Sequence, residues 1–290
     1  MSKSINEENK ELLSAALACA ITKRSDHDSV GASASVLHTR SGRSYTAGVI
    51  ETDTNLLTIF PEQTVLLHAL LRRDIPIESV TSVAPSTATL PLVLKILADA
   101  AARIDRGFSY TLAKPDGTIV FETEDVRHSL PGYTSPLSKL EEFCSESYKD
   151  DIITASNSLK EAALSGMQRH IRTKDSGSRY GAAVRAKDGT VFIGASLGSP
   201  DKRLGLHAEM AALALLLSSG RKQFTEIAIV SEKFPVTPCL FCGCCRQFIS
   251  DIARKTGSAP KLTGYALNTD ESMESSLSEL YPNPWSSNTL

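Results

Sequence analysis

The chain repeats itself, and that constrains its fold more than any other feature. Two stretches follow one plan: SGRSYTAGVIETDTNLLTIFPEQTVLLHALL from Ser41 and KDGTVFIGASLGSPDKRLGLHAEMAALALLL from Lys187. Each has a Gly-centred turn, a short strand, a loop and an apolar helix with a glutamate near its start. The turn glycines Gly42 and Gly189 stand 147 residues apart, as do Glu62 and Glu209, and Pro91 and Pro238. VGASASVL from Val30 matches YGAAVRAK from Tyr180 at a spacing of 150, and SLPGY near Leu130 matches ELYPNPW near Leu280 at 151. Five ordered matches whose spacing drifts by only a few residues are what duplication followed by loop changes leaves. The repeat has the length of a domain, far beyond a solenoid unit of roughly 20–50 residues.

Two tandem domains follow, over residues 1–135 and 152–290, joined by a linker over 136–151 that is rich in Ser, Glu and Lys. Each half reads as helix, strand, strand, helix, strand, helix, strand and a short tail, an alternation that predicts layered α/β domains. In the second half the opening helix is expected over 155–171, and a hairpin pairs 181–186 with 190–194 around the AKDGT turn. The segment 207–218 is apolar on nearly every side, which predicts a buried helix, and 227–231 is a short buried strand. A further helix is expected over 237–253, with Thr237 as its N-cap and Pro238 in the first helical position.

Composition narrows the function. The 290 residues carry 31 Lys+Arg against 33 Asp+Glu, so no basic footprint marks a nucleic-acid partner. The longest clear apolar run, Met210 to Leu217, is well short of the ~18 residues of a membrane span. The polar, acidic start MSKSINEENKELL is unlike a secretory signal, so a cytoplasmic, soluble protein is expected. Of six cysteines, Cys19 and Cys144 stand alone, whereas Cys239, Cys242, Cys244 and Cys245 fall within seven positions. A disulfide framework spreads its cysteines; a tight cluster in a cytosolic chain points to a metal.

The cluster has a histidine to match. His207-Ala208-Glu209 precedes Pro238-Cys239-Leu240-Phe241-Cys242 by about thirty residues. One imidazole and two thiolates suit zinc, balance its charge and leave a fourth position open for water. Zinc lowers the pKa of that water to about 7, and a nearby carboxylate that is not a ligand, Glu209, can shuttle its proton. The order H-x-E…P-C-x-x-C is that of zinc deaminases of cytosine or adenine.

On these motifs, with VGAS/YGAAV, the Gly-centred turns, CRQFI and the closing ELYPNPW, the chain resembles the cytidine deaminase family. The resemblance implies three-layer α/β/α domains, each with a mixed five-stranded sheet between helices. It implies one zinc ion in the second domain and hydrolytic deamination of cytidine and deoxycytidine. It also implies a homodimer of two-domain chains, with a nucleoside as the small-molecule partner and neither nucleic acid nor membrane. The two-domain members have their catalytic half first; here it is second.

Two ambiguities remain at the level of sequence. The family reads P-C-G-x-C-R-Q, whereas this chain reads P-C-L-F-C-G-C-C-R-Q, so the thiolates are either Cys239 with Cys242 or Cys242 with Cys245. The cap argument and the 147 spacing favour Cys239 with Cys242, leaving Cys244 as a buried small hydrophobe. The second ambiguity concerns the substrate. The family's ribose-binding Asn and Glu are replaced by Ser196 and Gly198, with Ser196 and Ala208 left as the candidate substrate-binding residues. Glu51 keeps the carboxylate in the first half, and Ser178 stands where the family has an aromatic, with Tyr180 nearby. Lys202 and Arg203 could meet an anionic substituent, or simply a solvated loop. In the first half the 147 spacing sets Phe60, Leu92 and Lys95 opposite His207, Cys239 and Cys242, and the other register sets Ala98 opposite Cys245. That half is therefore expected to bind no zinc, although it keeps Glu62. The histidines at 27, 38, 68, 128 and 170 form no spaced set; His68, on the helix after Glu62, merits a closer look.

Overall fold

The computed structural model describes residues 4–22, 30–54, 57–137, 152–154, 158–170 and 177–285. Most of the expected linker (138–151), the two ends of the expected opening helix and His27 lie outside these residues. The chain forms two compact units. The first comprises Met1–Glu51, Thr58–Glu146 and Ser199–Leu204, and the second Thr52–Leu57, Ser147–Gly198 and Gly205–Leu290.

The first unit runs α1 (Glu7–Leu17), β1 (Ala34–Thr39), β2 (Ser44–Gly48), α2 (Pro61–Leu71), β3 (Ile77–Val83), α3 (Leu90–Ile104), β4 (Ser109–Ala113) and β5 (Ile119–Thr123). Its sheet has the order β2-β1-β3-β4-β5, with β3 and β4 parallel and the other neighbours antiparallel. The second unit repeats the series after a short added strand. It runs β6 (Ile153–Thr154), α4 (Leu159–Gln168), β7 (Tyr180–Ala186), β8 (Val191–Ala195), α5 (Ala208–Ser218), β9 (Phe224–Ser231), α6 (Gly243–Thr256), β10 (Lys261–Tyr265), β11 (Ser272–Ser276) and α7 (Leu277–Leu280). The order β11-β10-β9-β7-β8-β6 contains the same five-stranded mixed sheet, with β6 added at the β8 edge. The parallel pair is again the one joined through a helix, as a crossover requires.

Strand register corrects the 150 spacing expected for the first strand. Ala34 pairs with Gly48 and Val83, and Gly181 pairs with Ala195 and Val230. These sets are 147 apart, so Gly181 is equivalent to Ala34 and not to Gly31. The misalignment has a steric origin. A methyl on Gly48 would lie 2.6 Å from the Ala16 carbonyl oxygen, and one on Gly181 would lie 2.1 Å from that of Ala163. Ala16 and Ala163 are themselves 147 apart, on α1 and α4. Each half needs one residue without a Cβ under its first helix, and the two halves place it on opposite strands of the same cross-strand pair.

Two further expectations change. The last strand of each half, β5 and β11, is absent from the sequence reading because each is an edge strand with little burial; SMESS carries no apolar alternation. The expected helix over 237–253 begins instead at Gly243, with Cys242 as N-cap, and ends at Gly257 with φ +66°. Thr237 and Pro238 look like a helix start, but the chain there is tied to the sheet: the Cys239 N–H donates to the Tyr265 carbonyl at 3.2 Å. A methyl on Gly264 would stand 1.8 Å from the Cys239 carbonyl oxygen. Gly264→Ala should therefore displace this loop and destabilise the protein by about 1–3 kcal/mol, the usual range for overpacking. A thermal melt that matches the wild type would contradict this close approach.

The helices that follow the second strand of each half are buried throughout. Every residue of α2, and every residue of α5 up to Leu217, is buried. The loops that lead into them are closed at the base by backbone bridges, Ile50 with Ile59 and Leu197 with Leu206, again 147 apart. His68 is part of this packing. Its ring stacks on Tyr45 with centroids 5.5 Å apart, and its Nδ1 accepts from Arg72 at 2.8 Å. Burial, reinforced by the Arg72 charge, pushes its pKa down to about 3. The unfolded chain, with an ordinary histidine near 6.5, then binds more protons between these values than the folded chain does. Stability present above pH ~6.5 is lost as the pH falls toward ~3. Urea midpoints of wild type and His68→Gln at neutral and mildly acidic pH check this: the wild type should lose more on acidification, and equal losses would contradict it. Among the described residues no helix is long and apolar enough to cross a membrane.

Candidate metal centre

In the second unit the ends of α5 and α6 meet. His207 is the N-cap of α5 in an extended conformation, and its side chain makes no capping bond, so the imidazole is free for another partner. Cys242 occupies the N-cap of α6, and Cys245 is the third residue of that helix. Both sulfurs lie 3.3 Å from His207 Nδ1, and the three donor atoms fall within 4.8 Å of one another. Zinc bonds of about 2.1 Å to nitrogen and 2.3 Å to sulfur give tetrahedral edges of about 3.6 Å, so this donor set fits the ion. Among the described residues it is the one group of this kind.

The favoured thiolate pair, Cys239 with Cys242, is not the pair that comes together around His207. Cys239 is fully buried and is not in the group; its backbone is held by β10, four residues before the helix begins. Desolvation pushes its thiol up to about 12. The register with Cys242 and Cys245 is the one that α6 brings to His207. Cys244, expected to be buried, is exposed.

Glu209 is 2 % exposed, one residue beyond the start of α5. Burial raises its pKa, while a hydrogen bond from Cys245 lowers it. The hydrogen bond from Cys245, together with His207, holds Cys242 down to about 3; His207 is raised chiefly by its bond to Cys242, and Cys245 by its bond to the same sulfur. Two cysteine sulfurs, an imidazole and a buried carboxyl thus share one small volume.

The remaining predicted residues take varied places. Ser196 is half-buried just beyond β8. Ala208 is fully buried, its carbonyl packed so closely on Gly194 that a methyl there would lie 2.3 Å away. Gly198 is exposed, while Glu51 in the first unit is fully buried and accepts from the Val30 N–H at 2.7 Å. Tyr180 is half-buried as the first residue of β7, and Ser178 is exposed. Lys202 and Arg203 are exposed, and the Arg203 guanidinium is taken up by Asp201, 2.7 and 2.9 Å from its oxygens.

Two arrangements escaped the sequence reading. Arg246 and Gln247 grip the closing segment: Arg246 donates to the Leu280 carbonyl, and Gln247 exchanges hydrogen bonds with the Trp285 backbone and accepts from Tyr281. CRQFI and ELYPNPW are thus two halves of one contact. In the first unit, Glu62 accepts from Ser82 at 2.6 Å and from Tyr110 at 3.4 Å, and Ser82 in turn pairs with Ser35. The equivalent second-unit positions are Ala182, Ile229 and Leu262. The carboxylate retained in the first half is satisfied by hydroxyls of its own sheet.

No family model matches the chain. It is 39% identical over 75 residues to a cytidine deaminase of Halalkalibacterium halodurans, covering 26% of this chain and 54% of the relative. It is 35% identical over 81 residues to a cytidine deaminase of Sporosarcina psychrophila, covering 28% and 56%. The chain thus spans about half the length of the curated relatives it matches. Among solved structures, a cytidine deaminase from Burkholderia pseudomallei is similar at 27% identity over 44% of this chain and 96% of that one, with a TM-score of 0.39. Over about a quarter of its length the chain is thus similar to cytidine deaminases.

Proposed function

We propose that the second unit is a zinc-dependent hydrolytic deaminase of a free cytosine nucleoside, cytidine, deoxycytidine or a close analogue. The observation that carries this reading is the convergence of His207 Nδ1, Cys242 Sγ and Cys245 Sγ beside buried Glu209. His207, Cys242 and Cys245 are the three ligands of this reading, which leaves a fourth position for water. Bound there, zinc supplies a water whose pKa is lowered to about 7. Glu209 takes the first proton of the water that attacks C4 of cytosine and passes it to ring N3. It then takes the second from the new C4 hydroxyl and passes it to the leaving amino group, so that ammonia departs as the C4 carbonyl forms. Its buried, desolvated carboxyl favours the protonated form it needs for the second task. Ser196, beyond β8, and Ala208, between His207 and Glu209, are the substrate-binding residues of this reading. One zinc per chain, a cytoplasmic location and a homodimer complete it.

One observation favours a second substrate class. Gly198 offers no carboxylate for a sugar hydroxyl, and a site without that partner loses its discrimination for the hydroxyl. A modified cytosine nucleoside is then the better substrate; a nucleotide is less favoured, because Arg203 is already occupied by Asp201. Ammonia release from cytidine, cytidine monophosphate and sugar-modified cytidines tests both. Release from cytidine supports the first reading, release from modified substrates alone the second, and release from none contradicts both.

A further inference from the structure

We infer that Cys242 and Cys245 are a reversible oxidation site: a peroxide joins them as a disulfide, and the joined pair gives up its metal. The part that concerns the ion rests on the proposed ligand role of these cysteines; the disulfide itself does not.

The two thiols stand in unlike surroundings at one helix end. Cys242 is the N-cap of α6 and is exposed, whereas Cys245, three residues on, is fully buried. Their sulfurs lie within 4.8 Å of each other, each 3.3 Å from His207 Nδ1. Residues three apart on a helix share a face, with Cβ atoms about 5–6 Å apart. A disulfide needs about 3.5–4.5 Å between them, so a small closure remains. The Cys242 side can supply it. Its backbone is extended, and the next residue, Gly243, has nothing within 4 Å of where a Cβ would stand.

The other cysteines of the cluster are set apart. Cys244 is exposed, and residues one or two apart on a helix do not face each other. Cys239 lies outside the group around His207, with its N–H given to the Tyr265 carbonyl. One pair among the four is therefore placed to close.

The chemistry divides along the difference in burial. The exposed Cys242 sulfur attacks a peroxide oxygen; the S–O bond forms, the O–O bond breaks, and water leaves as the thiol proton is passed on, which makes a sulfenic acid. The Cys245 sulfur then attacks the Cys242 sulfur. The S–S bond forms, the S–O bond breaks, and the hydroxyl leaves as water with the Cys245 proton. Two thiols and one hydrogen peroxide thus give one disulfide and two waters, with two electrons passed from sulfur to oxygen. Burial shields Cys245 from peroxide, so it resolves the sulfenic acid instead of being oxidised in its own right. A disulfide offers the ion no thiolate, and only the imidazole of the three donors remains. A dithiol reverses the step by exchange.

The test uses the full chain and hydrogen peroxide as the oxidant. In wild type and in Cys244→Ser, the peptide that carries residues 242 and 245 should become two hydrogens lighter, with fragmentation placing the bond between those two. About one zinc per chain should pass to a chromogenic chelator at the same rate, and dithiothreitol with added zinc should restore both thiols and ion. Cys245→Ser should hold a sulfenic acid at Cys242 that a dione reagent traps. A bond that is lost in Cys244→Ser would overturn the inference, as would sulfinic acid at Cys242 beside a free Cys245 thiol. Zinc kept after the bond has formed would also overturn it. A wild-type chain purified without zinc would remove the metal reading, while the bond would still be scored in that same chain, so the two failures are distinguishable.

Discussion

Glu209→Gln should keep its zinc and lose turnover by about 10²–10⁴-fold, the usual contribution of a general acid–base group. Glutamine preserves the shape and burial of the side chain but can neither take up nor release a proton at the reacting atoms. Burial raises the Glu209 pKa, which means that the site holds this carboxyl against the preference of its surroundings. Removing the ionisable group should leave thermal stability unchanged or increased, as happens when a functional residue costs stability. A variant with near-normal ammonia release would remove Glu209 from the mechanism. One that loses both zinc and turnover would make Glu209 part of the metal's support rather than the carrier of the proton.

The second large effect separates the cysteines. Cys242→Ala and Cys245→Ala should each weaken zinc binding by more than about 100-fold, since each removes a donor from a set of three. Cys239→Ala should retain zinc, because its sulfur lies outside the group around His207. It should lose only about 1 kcal/mol through the small cavity left behind. Metal content after dialysis, measured for the three variants together, checks this. Zinc retained in Cys245→Ala and lost in Cys239→Ala would restore the register that the sequence favoured.

The sequence misplaces the start of α6 for a local reason. Thr237-Pro238 has the chemistry of a helix start, but the Cys239 backbone is committed to β10, through Tyr265 and the absence of a side chain at Gly264. That tie comes from a strand some twenty-five residues downstream and leaves no trace in local pattern. The 150 spacing failed similarly, because the glycine required under the first helix sits on β2 in one half and on β7 in the other. The 147 spacing of the α2 and α5 segments was legible because both are buried on every side, and burial forbids insertions there. His207 and Glu209 stood out because they stand two residues apart at the head of α5, in the order H-x-E ahead of the cysteines. The hydroxyls around Glu62 were invisible, being scattered over three strands.

The most direct test of the central claim is zinc content per chain in protein purified without chelators, measured beside ammonia release from cytosine nucleosides. The account predicts about one zinc per chain and release that vanishes in Glu209→Gln. A chain that carries no zinc, or one whose release survives loss of Glu209, would contradict it.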